Sequence, residues 1–497
     1  MSNQLPKGWA ETSLREISSK LVDGSHIPPP KTALGKPMLS ARNVRDGEII
    51  FDEFRFIDPN AFDVEDRRTN IRAGDVLLTI VGTIGRSAVV LEGTEPFTLQ
   101  RSVAVLRPIG FSPKLLMYFF QAPQTQKELQ HSSRGTAQKG VYLKSLAKLV
   151  VQLPPLNEGK QIVAEIEKQF TRLDAGVVAL KRVKANLKRY RAAVLKAAVE
   201  GRLVPTEAAL ARRESRSYEP ASELLKRILA ERRARWEAGQ LVKMTAAGKH
   251  PKNSNWKAKY VNVALPDASS LPPPPEGWIW SSIGQVFDVY VGATPSRAKP
   301  EFWNGGIPWV SSGEVSFCRI RETREKITAL GLENSSTHLH PRGTVLLGMI
   351  GEGKTRGQAA IIDVPACNNQ NSAAIRVSET GLPPEYLYRF LESQYEATRK
   401  LSSGGNQPAL NKDRVQAIPF PLPPFEEQRQ IVAELERRLS VIDELEMQVE
   451  ANLKRAERLR QSILKRAFDG KLVPQDPNEE PASILLERIK TTRAGRV

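Results

Sequence analysis

Residues 153–205 read LPPLNEGKQIVAEIEKQFTRLDAGVVALKRVKANLKRYRAAVLKAAVEGRLVP, and residues 422–474 read LPPFEEQRQIVAELERRLSVIDELEMQVEANLKRAERLRQSILKRAFDGKLVP. The two stretches align without a gap at an offset of 269, so Gln161 matches Gln430, Gly201 matches Gly470 and Pro205 matches Pro474. In the first, Ile162, Ile166, Phe170, Leu173, Val177, Leu180, Leu187 and Val194 recur by threes, fours and sevens. In the second, Ile431, Leu435, Leu439, Ile442, Leu445, Val449, Leu453, Ala456, Leu459 and Ile463 step by threes and fours. That spacing predicts one long helix per stretch, with the narrow 3.5-residue stripe of a coiled coil. Asn157 and Glu158, or Glu426 and Glu427, follow a Pro-Pro pair, where acidic side chains suit a helix N-terminus. Gly201 and Gly470 fit the left-handed residue past a helix end, with Pro205 and Pro474 as stops. About 44 residues at about 1.5 Å each make a rod of roughly 65 Å. So narrow a stripe calls for a partner helix, and the other copy is the nearest candidate. Packing of each helix on its own neighbouring domain is the alternative.

The repeat extends beyond the helices. Trp9 matches Trp278, Gly74 matches Gly343, Gly135 matches Gly404 and Gln138 matches Gln407, all at 269. Matching Gln100 with Gln370 and Ser102 with Ser372 needs 270, which small compensating insertions would explain. The expected fold class is α+β: two mixed α/β heads in tandem pseudo-repeat, each followed by a long helix. A 269-residue period is a domain duplication and not a solenoid. The expected segments are head one at 1–152, a long helix at 153–205, a basic linker with a short helix at 206–274, head two at 275–421, a second long helix at 422–474 and a tail at 475–497. GDVLLTIVG and SAVVLE read as strands joined by the turn GTIGR, and FSPKLLMYFFQAPQTQKELQ reads as a helix. EPASELLKRI at 219–228 is echoed by EPASILLERI at 480–489, so the shared tail runs past each helix.

The bulk properties narrow the class. A chain of 497 residues has room for two to four domains, and 40% hydrophobic content supplies real cores. No stretch approaches eighteen apolar residues, and the N-terminus lacks a signal pattern, so neither a membrane span nor export is expected. Two cysteines are too few for a disulfide framework or a zinc cluster, which points to a reducing cytoplasm. The net charge of +18 points first to a polyanion such as nucleic acid.

One motif suggests chemistry. Gly348-Met-Ile-Gly-Glu-Gly353-Lys354-Thr355 fits the phosphate-cradling P-loop. That loop must open into a helix whose N-terminus faces the phosphates. Here Arg356, Gly357 and then QAAIIDVPA follow, which read as a second strand, so the motif is taken as a hairpin turn. The Pro-Pro pairs lack the Asn/Asp/Ser-Pro-Pro-aromatic tetrad of an amino-group methyltransferase. His338 and His340 have no evident third ligand and are taken as a solvated loop. The chain is expected to bind no cofactor or metal and to carry out no chemistry of its own.

Binding residues are more evident. Ser25, His26, Lys31, Lys36, Arg42 and Asn43 crowd the loops of head one, with Arg86 and Arg101 at turns between apolar runs. Head two offers Thr294, Ser296, Arg297, Lys299, Ser311 and Ser312, with Lys354, Arg356 and Asn371 at its turns. Arg and Lys hold phosphates or read guanine, and Asn and Gln read adenine. Any one of these alone would be a solvated loop residue; as two matched sets they favour nucleic acid. A coiled-coil scaffold binding nucleic acid without sequence preference is the competing reading.

The chain resembles the specificity subunits of type I restriction-modification systems. GIPWVSSGEV, LPPFEEQRQIVAEL, ILKRAFDGKLVPQDP and EPASILLERI carry the resemblance, which covers nearly the whole chain. Copy one departs from it in LNEGK, VEGRLVP and SHIPPP. The resemblance implies that each head is a target-recognition domain reading one half of a split sequence in double-stranded DNA. It implies that the long helices pair as an antiparallel coiled coil and fix the gap between half-sites. It also implies two modification subunits that use S-adenosylmethionine to methylate adenine, and restriction subunits that use ATP and Mg.

Overall fold

The computed structural model describes residues 5–134, 139–248, 251, 253–261, 263, 265–266, 269–351, 354–400 and 410–494. The repeat markers Gly135, Gln138, Gly404 and Gln407, and the P-loop residue Gly353, lie outside them. The chain divides into two compact units, residues 1–183 with 448–497, and residues 184–447. Both divisions fall inside long helices, Leu156–Val199 and Phe425–Phe468, of 44 residues each.

In the first unit, a four-stranded antiparallel sheet has the order Ser18–Asp23, Val103–Pro108, Val76–Thr79, Ser87–Val89. Beside it, Lys36–Leu39 pairs antiparallel with Arg55–Ile57 and parallel with Thr98–Leu99. Ala10–Ser13 pairs with Val150–Leu153, which leads into the long helix. The hairpin expected around GTIGR is present, with Val76 opposite Val89. The helix expected over 111–130 is two helices, Pro113–Gln121 and Pro123–His131. Pro123 causes the break, because it has no N–H and disfavours helical backbone at Ala122, which is extended.

The second unit repeats the order of these strands and adds one at an edge. Its main sheet has the order Asp288–Val291, Ser372–Arg376, Val345–Gly348, Ala359–Ile362, with Cys318–Ile320 added at the edge. Trp303–Val310 pairs antiparallel with Glu325–Ile327 and parallel with Cys367–Asn368. Ile279–Ser282 pairs with Pro419–Leu422. The P-loop-like run is therefore a hairpin, with Val345 opposite Ile361 and no helix opening after Lys354.

The register corrects one sequence expectation. Val103 faces Thr79 as Ser372 faces Gly348, and Gln100 N–H donates to the Leu39 carbonyl as Asn369 N–H donates to that of Val310. The offset is 269 here too, so Gln100 matches Asn369 and Ser102 matches Asn371. The 270 slip came from aligning identical letters, whereas the backbone bonds define the equivalence.

Each head is seated on its long helix by a buried tryptophan. Trp9 Nε1 donates to Glu158 at 3.0 Å, and Trp278 Nε1 donates to Glu427 at 2.8 Å. These acidic residues do more than suit the helix dipole, since burial raises both carboxyls, Glu427 to about 7. The N–H groups of Asn157 and Glu158 donate to Glu479, and that of Glu207 donates to Glu427. Further along, Arg460 pairs with Asp174 in the first unit, and Arg191 with Asp443 and Glu446 in the second. Apolar contact accompanies the ion pairs: in the first unit, Ile162, Ile166 and Phe170 share a core with Ile463, Leu464 and Phe468. Two members of the expected stripe, Leu445 and Leu459, are exposed instead, at 45% and 49%.

Gly201 and Gly470 have φ of +65° and +66°, as their place past a helix end requires. The tail then folds onto a head: Gly470 lies against Pro6, and Ala482 N–H donates to the Gly8 carbonyl. In the second unit Gly201 lies against Pro275, and Ala221 N–H donates to the Gly277 carbonyl. The linker's helix is longer than expected, running from Ala221 to Ala246, and Arg232 ties its middle to Asp288 at 2.6 Å.

Candidate nucleic-acid interface

The strand registers bring four loops of head one to one end of its sheets. The chain leaves the strand Ser18–Asp23 at Gly24, and a Cβ there would lie 2.1 Å from the Leu99 carbonyl oxygen. Only glycine allows that approach, which lets Ser25 N–H donate to Leu99 O at 2.7 Å. In head two Gly292 has the same relation to the Asn368 carbonyl, at 2.0 Å. The loops after Leu39, after Thr79 and before Val103 end beside the one at Gly24. Together they enclose an open cleft of about 360 Å³.

Four expected residues of head one line this cleft: Ser25, His26, Arg42 and Arg101. Ser25 is buried and donates to Glu65 at 2.7 Å, and His26 contacts Asp23 at 2.8 Å. Arg42 and Arg101 are exposed, and among the described residues no ion pair holds either. Lys31, Lys36 and Arg86 do not line the cleft. Asn43 is a correction: it is 1% exposed, its Nδ2 donates to the carbonyls of Ile50 and Asp52, and its Oδ1 accepts from Ser40. An amide so occupied is a turn-forming residue and has nothing left to offer a base.

The matching end of head two is more internally bonded. Thr294 Oγ1 donates to Gln370 Oε1 at 2.6 Å, and Asn369 Nδ2 reaches Ser312 Oγ at 3.5 Å. Ser311 donates through N–H and hydroxyl to Glu314, both at 2.9 Å. Arg297 is exposed but held: it forks onto Glu325 and stacks over Trp303 at 3.7 Å from the ring centre. The Arg297 hydrogen bonds hold the Glu325 carboxyl below its usual range. Lys299 lies over Phe302 at 5.0 Å, and the Ser296 carbonyl accepts from Trp303. Lys354 is exposed, while Arg356 is half-buried with its Nε lacking a hydrogen-bond partner. Asn371 is half-buried, and its carbonyl accepts from Met349 N–H at 2.8 Å.

His340 corrects the solvated-loop expectation. It is wholly buried, bonded to Asn368 Oδ1 at 3.1 Å and accepting from Arg376 at 3.1 Å. Burial and Arg376 push it down to about 3, so it is a neutral structural group behind the loop Asn369–Asn371. Among the described residues no group of three potential metal ligands occurs, and no helix is long and apolar enough to cross a membrane.

Sequence reasoning passed over Gln100, Ser102, Thr83, Asn369 and Gln370, although the first three line the cleft of head one and the last two lie at the matching end of head two. The signal was visible in the Gln100–Ser102 and Gln370–Ser372 runs, which served only as repeat markers.

The family model described as the type I restriction modification DNA specificity domain matches residues 60–182 and 275–455, more than half of the chain. The EcoBI specificity subunit of Escherichia coli is 29% identical over 46% of this chain and 49% of its own length, so this chain matches about half of that relative. The EcoDI specificity subunit of Escherichia coli is 22% identical over 93% of this chain and 97% of its own length. A solved chain from work on complex assembly and conformational transition of the type I R-M system superposes with a TM-score of 0.63. That match covers 94% of this chain and all of the other, at 19% identity, and shows a shared fold.

Proposed function

From membership of the type I restriction-modification DNA specificity family, to which this chain belongs, we infer that it reads a bipartite double-stranded DNA target, one half-site per head. The observation that carries this reading is the pairing of like with unlike. Two heads that share the order of four central strands present corresponding loops at the same sheet end, and the side chains on those loops differ. Matched scaffolds with different loops suit a target whose halves have different sequences. The net charge of +18 supplies phosphate affinity that does not depend on sequence.

The long helices act as the ruler between half-sites, paired as an antiparallel coiled coil. Support comes from the ion pairs Asp174–Arg460 and Arg191–Asp443 within their respective units. Two modification subunits dock on this chain and methylate one adenine in each half-site. S-adenosylmethionine is held by those subunits, and ATP and Mg by the restriction subunits that complete the nuclease. The assembly works in the cytoplasm. This chain contributes geometry and selectivity, and no bond is made or broken by its own side chains.

Co-expression with the modification subunits, followed by mapping of N6-methyladenine, tests the reading. One split motif with a fixed gap is expected; scattered or absent methylation rejects it. Four residues inserted near Val183 add one helical turn of about 6 Å. The gap is then expected to grow by nearly two base pairs of about 3.4 Å each, and an unchanged gap rejects the ruler.

A further inference from the structure

The register of the two heads places Arg101 and Gln370 at one equivalent position. Three backbone bonds define it. Gln100 N–H donates to Leu39 O at 2.9 Å, and Asn369 N–H donates to Val310 O at 3.1 Å. Ile80 N–H donates to Ser102 O at 2.9 Å, and Met349 N–H donates to Asn371 O at 2.8 Å. Val103 N–H donates to Gln100 O at 3.1 Å, and Ser372 N–H donates to Asn369 O at 3.3 Å. The residue enclosed by these bonds is Arg101 in one head and Gln370 in the other. Both are exposed at the loop end, on a segment pinned to its neighbouring loops.

That position has the properties of a base reader. Its backbone is fixed, so the side chain projects from a rigid base, as precise contacts require. It lies among the converging loops and not on an outlying one. Arg101 N–H donates to Ser25 O, while Thr294 Oγ1 braces Gln370 Oε1 at 2.6 Å. The carbonyl oxygen of Gln370 keeps a second lone pair, and among the described residues nothing accepts from its amide N–H groups. A guanidinium matches O6 and N7 of guanine, and a carboxamide matches N6 and N7 of adenine.

We propose that Arg101 and Gln370 are the matched base readers of the two heads, Arg101 taking a guanine in one half-site and Gln370 an adenine in the other. The assignment rests on the two-half-site reading above. Arg42, in the same cleft as Arg101, supplies a second cation to the head-one half-site.

The test is a reciprocal exchange in the complex with the modification subunits, read by mapping N6-methyladenine. Arg101→Gln is expected to turn one G·C pair of one half-site into A·T, with the other half-site and the gap unchanged. Gln370→Arg is expected to make the converse change in the other half-site. Preference for the original pair should fall roughly 10- to 100-fold, the range of a bidentate contact. Arg101→Ala, which removes the contact without replacing it, should relax that one pair to any base. Variants that keep the wild-type motif, or lose methylation evenly at every site, overturn the assignment and leave the two-half-site reading standing. An Arg101→Gln complex that assembles but methylates nowhere also overturns it, since it makes Arg101 structural. A wild-type complex with no split motif defeats the two-half-site reading itself.

Discussion

Head one and head two agree wherever the backbone is the agent and part wherever side chains face outward. The four strands their main sheets share have the same order, and both heads have the same parallel strand pair and the same glycine pressed against a carbonyl. At the loop end, Arg42 and Arg101 of head one are held by no ion pair among the described residues, whereas Arg297 of head two, also exposed, is held by Glu325 and Trp303. Duplication has preserved the hydrogen-bonded frame, which tolerates little, and released the residues that frame merely carries. The same contrast separates two kinds of arginine: one held by a partner and a ring, the other held by no ion pair among the described residues.

The largest effects should come from breaking what the heads share. Trp9→Ala and Trp278→Ala each remove a buried ring and one of the hydrogen-bond donors to a buried carboxyl. Each should cost about 3–5 kcal/mol, measured by denaturant unfolding, and a large inequality would show that the two seats are not equivalent. A smaller effect should distinguish them. Glu427 is raised to about 7 by burial, so its ionisation opposes folding above that pH, and the opposition disappears as pH falls. Stability of the wild type relative to Glu427→Gln should therefore rise between about pH 8 and pH 5, by up to ~3 kcal/mol. Glutamine keeps an oxygen for Trp278, so a flat difference across that window would mean that the carboxyl is not held protonated. Least should follow from Arg297→Ala, which loses a half-exposed ion pair and a stacked ring. About 1 kcal/mol or less is expected from thermal unfolding, and a larger loss would make head two more dependent on side-chain bonding than head one.

Much of this was legible in the sequence. The 269-residue offset, the long helices, the left-handed Gly201 and Gly470 and the hairpin behind the P-loop-like motif all follow from spacing and local chemistry. The cleft was half legible: Ser25, His26, Arg42 and Arg101 meet there, but Lys31, Lys36 and Arg86 do not. Residue type alone gave no sign that Asn43 spends its amide on its own turn, or that His340 sits in the core between Asn368 and Arg376. Those are contacts over long separations or across tight turns, which composition does not reveal. Gln370 was hidden for another reason: matching identical letters aligned Gln100 with Gln370, whereas hydrogen bonding aligns Arg101 with Gln370.

The tails carry an evolutionary consequence. In one unit the segment after Gly470 packs on the start of head one, and in the other the segment after Gly201 packs on the start of head two. The first joint is made between distant parts of the chain, the second between neighbours, yet the contacts correspond. A gene of this design has no privileged beginning. A head exchanged at such a joint, tryptophan included, would leave the contacts within the other unit as they are.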